Sequence, residues 1–238
     1  MTEDRQRVAV ITGGSQGIGA GLVDGYRRRG WAVVASARTM KPVTDPDIVT
    51  VEGDVAEPAT AQRIVDAALE RFGQVDTLVN NAGVYISKPF TEYTAADYAL
   101  ITSVNLAGFF WLTQLVIAEM LRQQRGHVVN ISATIADRAD SATPAVLTAL
   151  TKGGLAAASR SLAVEYASRG IRVNAVAPGI IQTPVHPAES YAALGDRLPP
   201  LGRVGQVSDI VGAVLYLESA SYITGEILHV DGGQNAGH

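Results

Sequence analysis

Three glycines, Gly13, Gly17 and Gly19, sit between a short apolar run, Val8-Ala9-Val10-Ile11, and a helical pattern reaching about Arg29. In a strand–turn–helix unit such glycines let the backbone approach a ligand closely. The unpaired N–H groups of the helix N-terminus then face an anion, most often a pyrophosphate. Ser15, Gln16 and Ile18 complete the turn. A glycine cluster also suits a turn without a ligand; the strand before it and the helix after it favour the phosphate reading. The next predicted strand ends Val34-Ala35-Ser36-Ala37-Arg38, with no carboxylate. A carboxylate there would accept from ribose hydroxyls and repel a 2′-phosphate. Ser36 can instead donate to a phosphate oxygen, and Arg38 offers a charge-assisted fork. For a nicotinamide dinucleotide these residues prefer NADP(H), with NAD(H) the second choice, unless Arg38 is simply a solvated loop charge.

The elements that must position these residues follow from hydrophobic periodicity. Strands are predicted at 8–11, 32–37, 48–51 (ending near Asp54), up to Asn80, 127–131, 171–177 and 226–230. Helices are predicted from the glycine turn to about Arg29, at 58–72, 94–104, 105–124, 144–169 and 207–217. Pro42 and Pro46 make the 38–47 connection a loop. Alternating strands and helices specify an α/β protein with a doubly wound parallel sheet, read as a single domain over residues 1–238. Apolar residues make up 47% of the chain, enough for a sizeable core. The net charge of −4, with no Lys/Arg stripe, argues against nucleic acid. No cysteine is present, which excludes disulfides, Cys-based metal sites and a Cys nucleophile, and no metal site is expected. The charged start of the chain lacks a signal-peptide core, and no apolar run approaches membrane-spanning length. A cytoplasmic protein without a membrane partner is the expectation.

Further segments carry a resemblance. Besides the glycine turn, the chain has Asp54-Val55, Asn80-Asn81-Ala82-Gly83, Asn105, Lys152, Asn174, Pro178-Gly179 and Asp231-Gly232-Gly233. In this order and spacing the chain resembles the classical short-chain dehydrogenase/reductase family over essentially its whole length. The resemblance implies a Rossmann fold of about seven strands, bound NAD(H) or NADP(H), a small-molecule substrate, and a homotetramer or homodimer. It implies that Gly13, Gly17, Ile18 and Gly19 wrap the pyrophosphate and that Asp54 and Val55 flank the adenine. Asn80, Asn81, Ala82 and Gly83 would border the adenine ribose and the strand end. Lys152 would hold the nicotinamide ribose, and Pro178, Gly179, Ile181 and Thr183 the carboxamide end. Asp54 and the asparagines could equally be strand-end polar residues.

The family's catalytic pair is where the chain departs. Four residues before Lys152, on the same helix face, the family has a tyrosine acid; here it is Thr148. At the serine position stands Ala133, although the 133–148 connection is about two residues longer than the family's, so Ser132 or Thr134 could orient a carbonyl instead. Asn105, which in the family supports a water chain behind the lysine, is retained. A threonine hydroxyl donates a proton poorly near neutrality but can hold a water or substrate oxygen. Replacement donors to consider are Lys152 itself, His186 in the predicted lid 184–200, Tyr85, Tyr191 and the polar run Asp137, Arg138 and Asp140. For His186 and the polar run, an ordinary solvated surface is the simpler reading. Three functions remain open: an oxidoreductase with an atypical proton path, a non-catalytic cofactor-binding subunit or sensor, and a lyase or isomerase reusing the pocket.

Overall fold

The computed structural model describes residues 5–184, 194 and 198–237. Seven strands, β1 (Val8–Thr12), β2 (Ala32–Ala37), β3 (Ile48–Glu52), β4 (Thr77–Asn80), β5 (Gly126–Ile131), β6 (Ile171–Pro178) and β9 (Ile227–Val230), form one sheet. Their order is β3-β2-β1-β4-β5-β6-β9, and every pairing is parallel. The strands β1 and β2 are buried along their whole length, which is why they read as continuous apolar runs rather than alternating ones.

Helices α1 (Gly17–Arg27) and α6 (Val207–Ser219) cover one face; α2 (Pro58–Phe72) and α4 (Gly108–Gln123) pack on the other. The start and end of α2 are as expected: Pro58 opens it, and Gly73 closes it in the left-handed region at φ 72°. The order of strand addition reverses between β1 and β4, so the crevice at their C-terminal ends is the topological switch point where such sheets bind ligands. The glycine turn follows β1 there, and Asn81 to Gly83 follow β4.

Three sequence expectations need correction. The predicted break before Asn105 is not a break. Helix α3 (Ala95–Thr102) runs through a π-helical turn, Ser103–Ala107, into α4. The wider turn carries Asn105 inward, a placement typical of π-bulges at functional sites. Second, this run, Ala95–Gln123, is 29 residues long with a window of mean hydropathy 1.6, so by length and composition it could cross a membrane. Here Leu112, Val116, Ile117 and Met120 are core residues packed on the sheet, while Tyr98, Leu100 and Phe110 of the same run are exposed. Third, β7 (Ile181–Gln182) and β8 (Gly205–Gln206) form a separate two-stranded pair; two residues are too few to show a period in sequence. The long helix α5 (Val146–Tyr166) starts two residues later than expected and ends in a 3-10 turn before Gly170.

Candidate active site

The glycine turn is shaped by close backbone approach and tied to the end of β4 by two side chains, Asn81 and Thr12. Gly13 (φ 68°) and Gly17 (φ 55°) adopt the left-handed backbone. A Cβ on Gly19 would lie 2.0 Å from the Gly13 carbonyl oxygen, so nothing larger than glycine fits. Helix α1 begins after Gln16 with no side-chain cap, which leaves its first N–H groups pointing into the crevice. Asn81 Nδ2 donates to the carbonyls of Thr12 (2.9 Å) and Gly13 (3.3 Å). The Thr12 hydroxyl accepts from the N–H groups of Asn81 (3.0 Å) and Ala82 (2.9 Å). Thr12 thus knits the two strand ends at the switch point; sequence reading gave it no role. Across the crevice the Thr183 side chain lies 3.5 Å from the Cβ position of Gly17, so the two ends of the expected dinucleotide site do meet.

At the end of β2, Ser36 is fully buried and its hydroxyl has no partner among the described residues. Arg38 is exposed just beyond. Asp54 is exposed and accepts from the Ala56 N–H (2.9 Å), while Val55 packs where a side chain on Gly108 would collide. Pro178 ends β6, the Gly179 N–H donates to Val230 (3.1 Å), and Ile181 is buried in the core.

Lys152 forms the floor. Its side chain is buried, and Nζ donates to the Ile131 carbonyl at 2.7 Å. Burial lowers its pKa from the ordinary lysine value to about 8. A Cβ on Gly83 would sit 3.1 Å from Nζ and 3.3 Å from Asn105 Oδ1, so glycine keeps this corner open. Asn105 is buried, and its amide is fully used. Oδ1 accepts from Val84 (2.8 Å), and Nδ2 donates to the Val84 carbonyl (3.0 Å) and Thr151 Oγ1 (3.1 Å).

The replacement donors fare differently. The Thr148 hydroxyl is taken up by the main chain of Ile86, accepting from its N–H (3.2 Å) and donating to its carbonyl (3.3 Å). It is therefore not free to hold a substrate oxygen. Ser132 donates to the Lys152 carbonyl (3.0 Å). Thr134 donates toward Ala177 and Asp231. Neither hydroxyl is available to orient a carbonyl. Ala133 begins the short turn after β5 and presents only a methyl group. Asp137 pairs with His229 (3.0 Å), Arg138 donates to the Gln234 carbonyl, and Asp140 caps Ala142 (2.9 Å). The polar run is thus spent on the C-terminal tail and its own turn. Tyr85 is half exposed, and partial burial raises its phenol pKa, which makes it a weaker acid than a free tyrosine. His186 and Tyr191 lie outside the described residues. Asn174 is not at the site. It belongs to a network at the opposite end of the sheet, where it contacts His127 Nε2 (3.1 Å).

A buried polar chain beneath the site escaped sequence reading. Asn80 Nδ2 donates to Thr113 (2.9 Å) and Asn130 (2.8 Å), and Asn130 donates to Ser159 (2.8 Å). It ties β4 and β5 to α4 and α5. Asn80 is thereby a brace, with its side chain turned away from the crevice. Only an expectation that buried amides must be paired could have suggested such partners.

The family model for enoyl-(acyl carrier protein) reductase matches residues 13–235. The 3-oxoacyl-[acyl-carrier-protein] reductase FabG of Salmonella typhimurium is 35% identical, over 95% of this chain and 96% of that protein. Among solved structures, ElxO with NADP bound superposes with a TM-score of 0.89 at 26% identity, covering 98% of this chain and 100% of that one. The 3-ketoacyl-(acyl-carrier-protein) reductase of Brucella melitensis complexed with NADH gives 0.87 at 29%, covering 97% and 99%. By the family model, the relatives and the shared fold, the chain belongs to the short-chain dehydrogenase/reductase family of NAD(P)-dependent oxidoreductases.

Proposed function

We propose that residues 1–238 act as one domain that transfers hydride between NADP(H) and a small to medium acceptor needing little help from a proton donor. An iminium or a conjugated quinonoid fits better than a plain ketone. One observation carries this reading. Of the polar side chains expected beside the acceptor, the hydroxyls of Ser132, Thr134 and Thr148 are already engaged, Ala133 has none, and buried Lys152 remains. The site lacks a tyrosine acid and works with a non-standard donor.

The residues fit a dinucleotide. The glycines cradle a pyrophosphate, the uncapped start of α1 faces it, and the orphaned Ser36 hydroxyl gains a partner in a ribose phosphate. Arg38 and the absence of a carboxylate at the end of β2 favour NADP(H) over NAD(H), in line with the NADP bound by ElxO. When bound, the dinucleotide supplies or takes the hydride. Asp54 and Val55 flank its adenine; Asn81, Ala82 and Gly83 line the ribose. Pro178, Gly179, Ile181 and Thr183 receive the nicotinamide end. Lys152 holds the nicotinamide ribose, and with a pKa near 8 it surrenders a proton more readily than a surface lysine. A missing general acid costs roughly two to four orders of magnitude; positioning, worth about 7–11 kcal/mol, is retained. The reading includes a homo-oligomer in the cytoplasm; Tyr98, Leu100, Phe110, Leu150 and Val164 leave apolar surface exposed on the α3–α4 and α5 faces, which supports the oligomer.

The test is an acceptor screen with NADPH, following its absorbance in the parent and in Lys152→Arg. Imines or conjugated acceptors should consume NADPH, while simple ketones turn over weakly or not at all. Lys152→Arg keeps the charge but cannot release a proton, so reduction of a conjugated acceptor, which must also gain a proton, should slow, while an iminium, which needs none, should turn over nearly as before and NADP(H) should still bind. Ketone turnover at ordinary enzyme rates, roughly 1–1,000 per second, would sink the acceptor assignment. Undiminished reduction of a conjugated acceptor by Lys152→Arg would remove the lysine from the proton path.

A further inference from the structure

The segment after Gly83 is a strap pinned at successive points. Val84 is held through both main-chain groups by Asn105 (2.8 and 3.0 Å). Ile86 is held through both by Thr148 (3.2 and 3.3 Å), and its carbonyl also accepts from the Tyr93 hydroxyl (2.9 Å). Ser87 donates to the Pro144 carbonyl (2.9 Å), and Lys88 pairs with Asp97 (2.7 Å). A threonine within a helix ordinarily turns its hydroxyl back to the carbonyl four residues earlier. For Thr148 that carbonyl belongs to Pro144, and Ser87 occupies it. Thr148 instead reaches 62 positions back along the chain, with its single proton and an accepting lone pair both spent on one residue. It is 1% exposed.

We propose that Thr148 is a positioning residue: it clamps the main chain of Ile86 and so sets the strap 84–88 as the wall against which the hydride acceptor is placed. Tyr85, half exposed between the two clamped residues, takes its position from them. An aromatic residue at 148 has no hydroxyl at the β-carbon to donate to and accept from Ile86, so it cannot hold the strap as threonine does. The position that would carry an acid has been given over to shaping the pocket. The kinetic part of this proposal rests on the oxidoreductase reading; the structural part does not.

The experiment uses the full chain with NADP(H) and compares Thr148→Ser, Thr148→Val, Thr148→Tyr and Tyr93→Phe by amide hydrogen exchange. Thr148→Val should lower protection of the Ile86 amide about tenfold, the worth of one net hydrogen bond, while the Val84 amide, held by Asn105, is unchanged. Thr148→Ser should restore Ile86. Tyr93→Phe removes only the second donor to the carbonyl and should leave the Ile86 amide protected. Thr148→Tyr should release the strap without creating ketone reduction. With phenanthrenequinone as probe acceptor, Thr148→Val should raise KM about fivefold with kcat nearly constant, and Thr148→Ser should reverse it. Unchanged Ile86 protection in Thr148→Val or in Thr148→Tyr would overturn the proposal. So would a loss of that protection in Tyr93→Phe. If no variant consumes NADPH with any acceptor, the oxidoreductase reading fails, and the exchange data still decide the clamp.

Discussion

At the N-terminal ends of β4, β5 and β6, His127 is held on both ring nitrogens. Its Nδ1 faces Glu218 (3.0 Å), and its Nε2 faces the amide of Asn174 (3.1 Å) and Arg172 (3.4 Å). The amide orientation is set independently, because Asn174 Oδ1 accepts from Glu226 and Nδ2 also donates to Ile223. Nε2 must therefore accept, and the proton belongs on Nδ1. Glu218 further accepts from Thr77 (2.7 Å) and Tyr26 (3.2 Å), while Arg172 caps the carbonyls at the end of α6. At the C-terminal ends the pattern is different. Among the described residues, Ser36 has a buried hydroxyl without a partner, glycines hold space open, and Lys152 Nζ donates to one carbonyl. A buried polar network that closes on itself is structure; buried polar groups left over beside open backbone are a place for a ligand.

The largest effect expected from breaking this contrast is at the closed end. Glu218→Ala would leave Thr77, Tyr26 and His127 without their acceptor and cost about 3–5 kcal/mol, measured by urea unfolding. A loss below about 1 kcal/mol would show that the network does not brace this end of the sheet. At the open end, Arg38→Asp should reverse the cofactor preference by at least about tenfold, since a charge-assisted hydrogen bond is worth roughly 1.5–3 kcal/mol, with unfolding nearly unchanged. Titration of the parent showing tighter NAD(H) than NADP(H) binding would contradict it.

The smallest effect is a pH dependence. Burial, outweighing the pull of Glu218, depresses the folded pKa of His127 below its ordinary value. The unfolded chain therefore binds this proton first. The His127 contribution is complete above about pH 6.5, the unfolded value, and is lost as pH falls toward the folded pKa, at up to about 1.4 kcal/mol per pH unit. His127→Gln should flatten that part of the stability curve. An unaltered slope between mildly acidic and neutral pH would assign the acid sensitivity elsewhere.

Much of this molecule was readable before folding. The alternation of buried strands with amphipathic helices, Pro58 and Gly73 around α2, and the glycines after β1 are local patterns, and local sterics enforce them. That Thr148 stands four residues before Lys152, and that Ala133 follows Ser132, is likewise read directly from the sequence. The fate of the hydroxyls was not readable. Ser132, Thr134 and Thr148 all stood as candidates to meet a substrate, and all three are engaged by other parts of the protein. Asn80 and Asn174 carried a family resemblance, yet one braces β4 to β5 and the other faces His127.

What the sequence determined by itself is the order of the elements, the glycine cradle and the identity of the groups available for chemistry, because each follows from residue type and near-neighbour spacing. What only the tertiary structure decided is which of those groups remain free. Thr148 and Ile86 are 62 positions apart, and Asn174 and His127 are 47 apart. A hydroxyl or amide has several possible partners at nearly equal energy. The choice among them is made by which elements the sheet order brings within hydrogen-bonding distance.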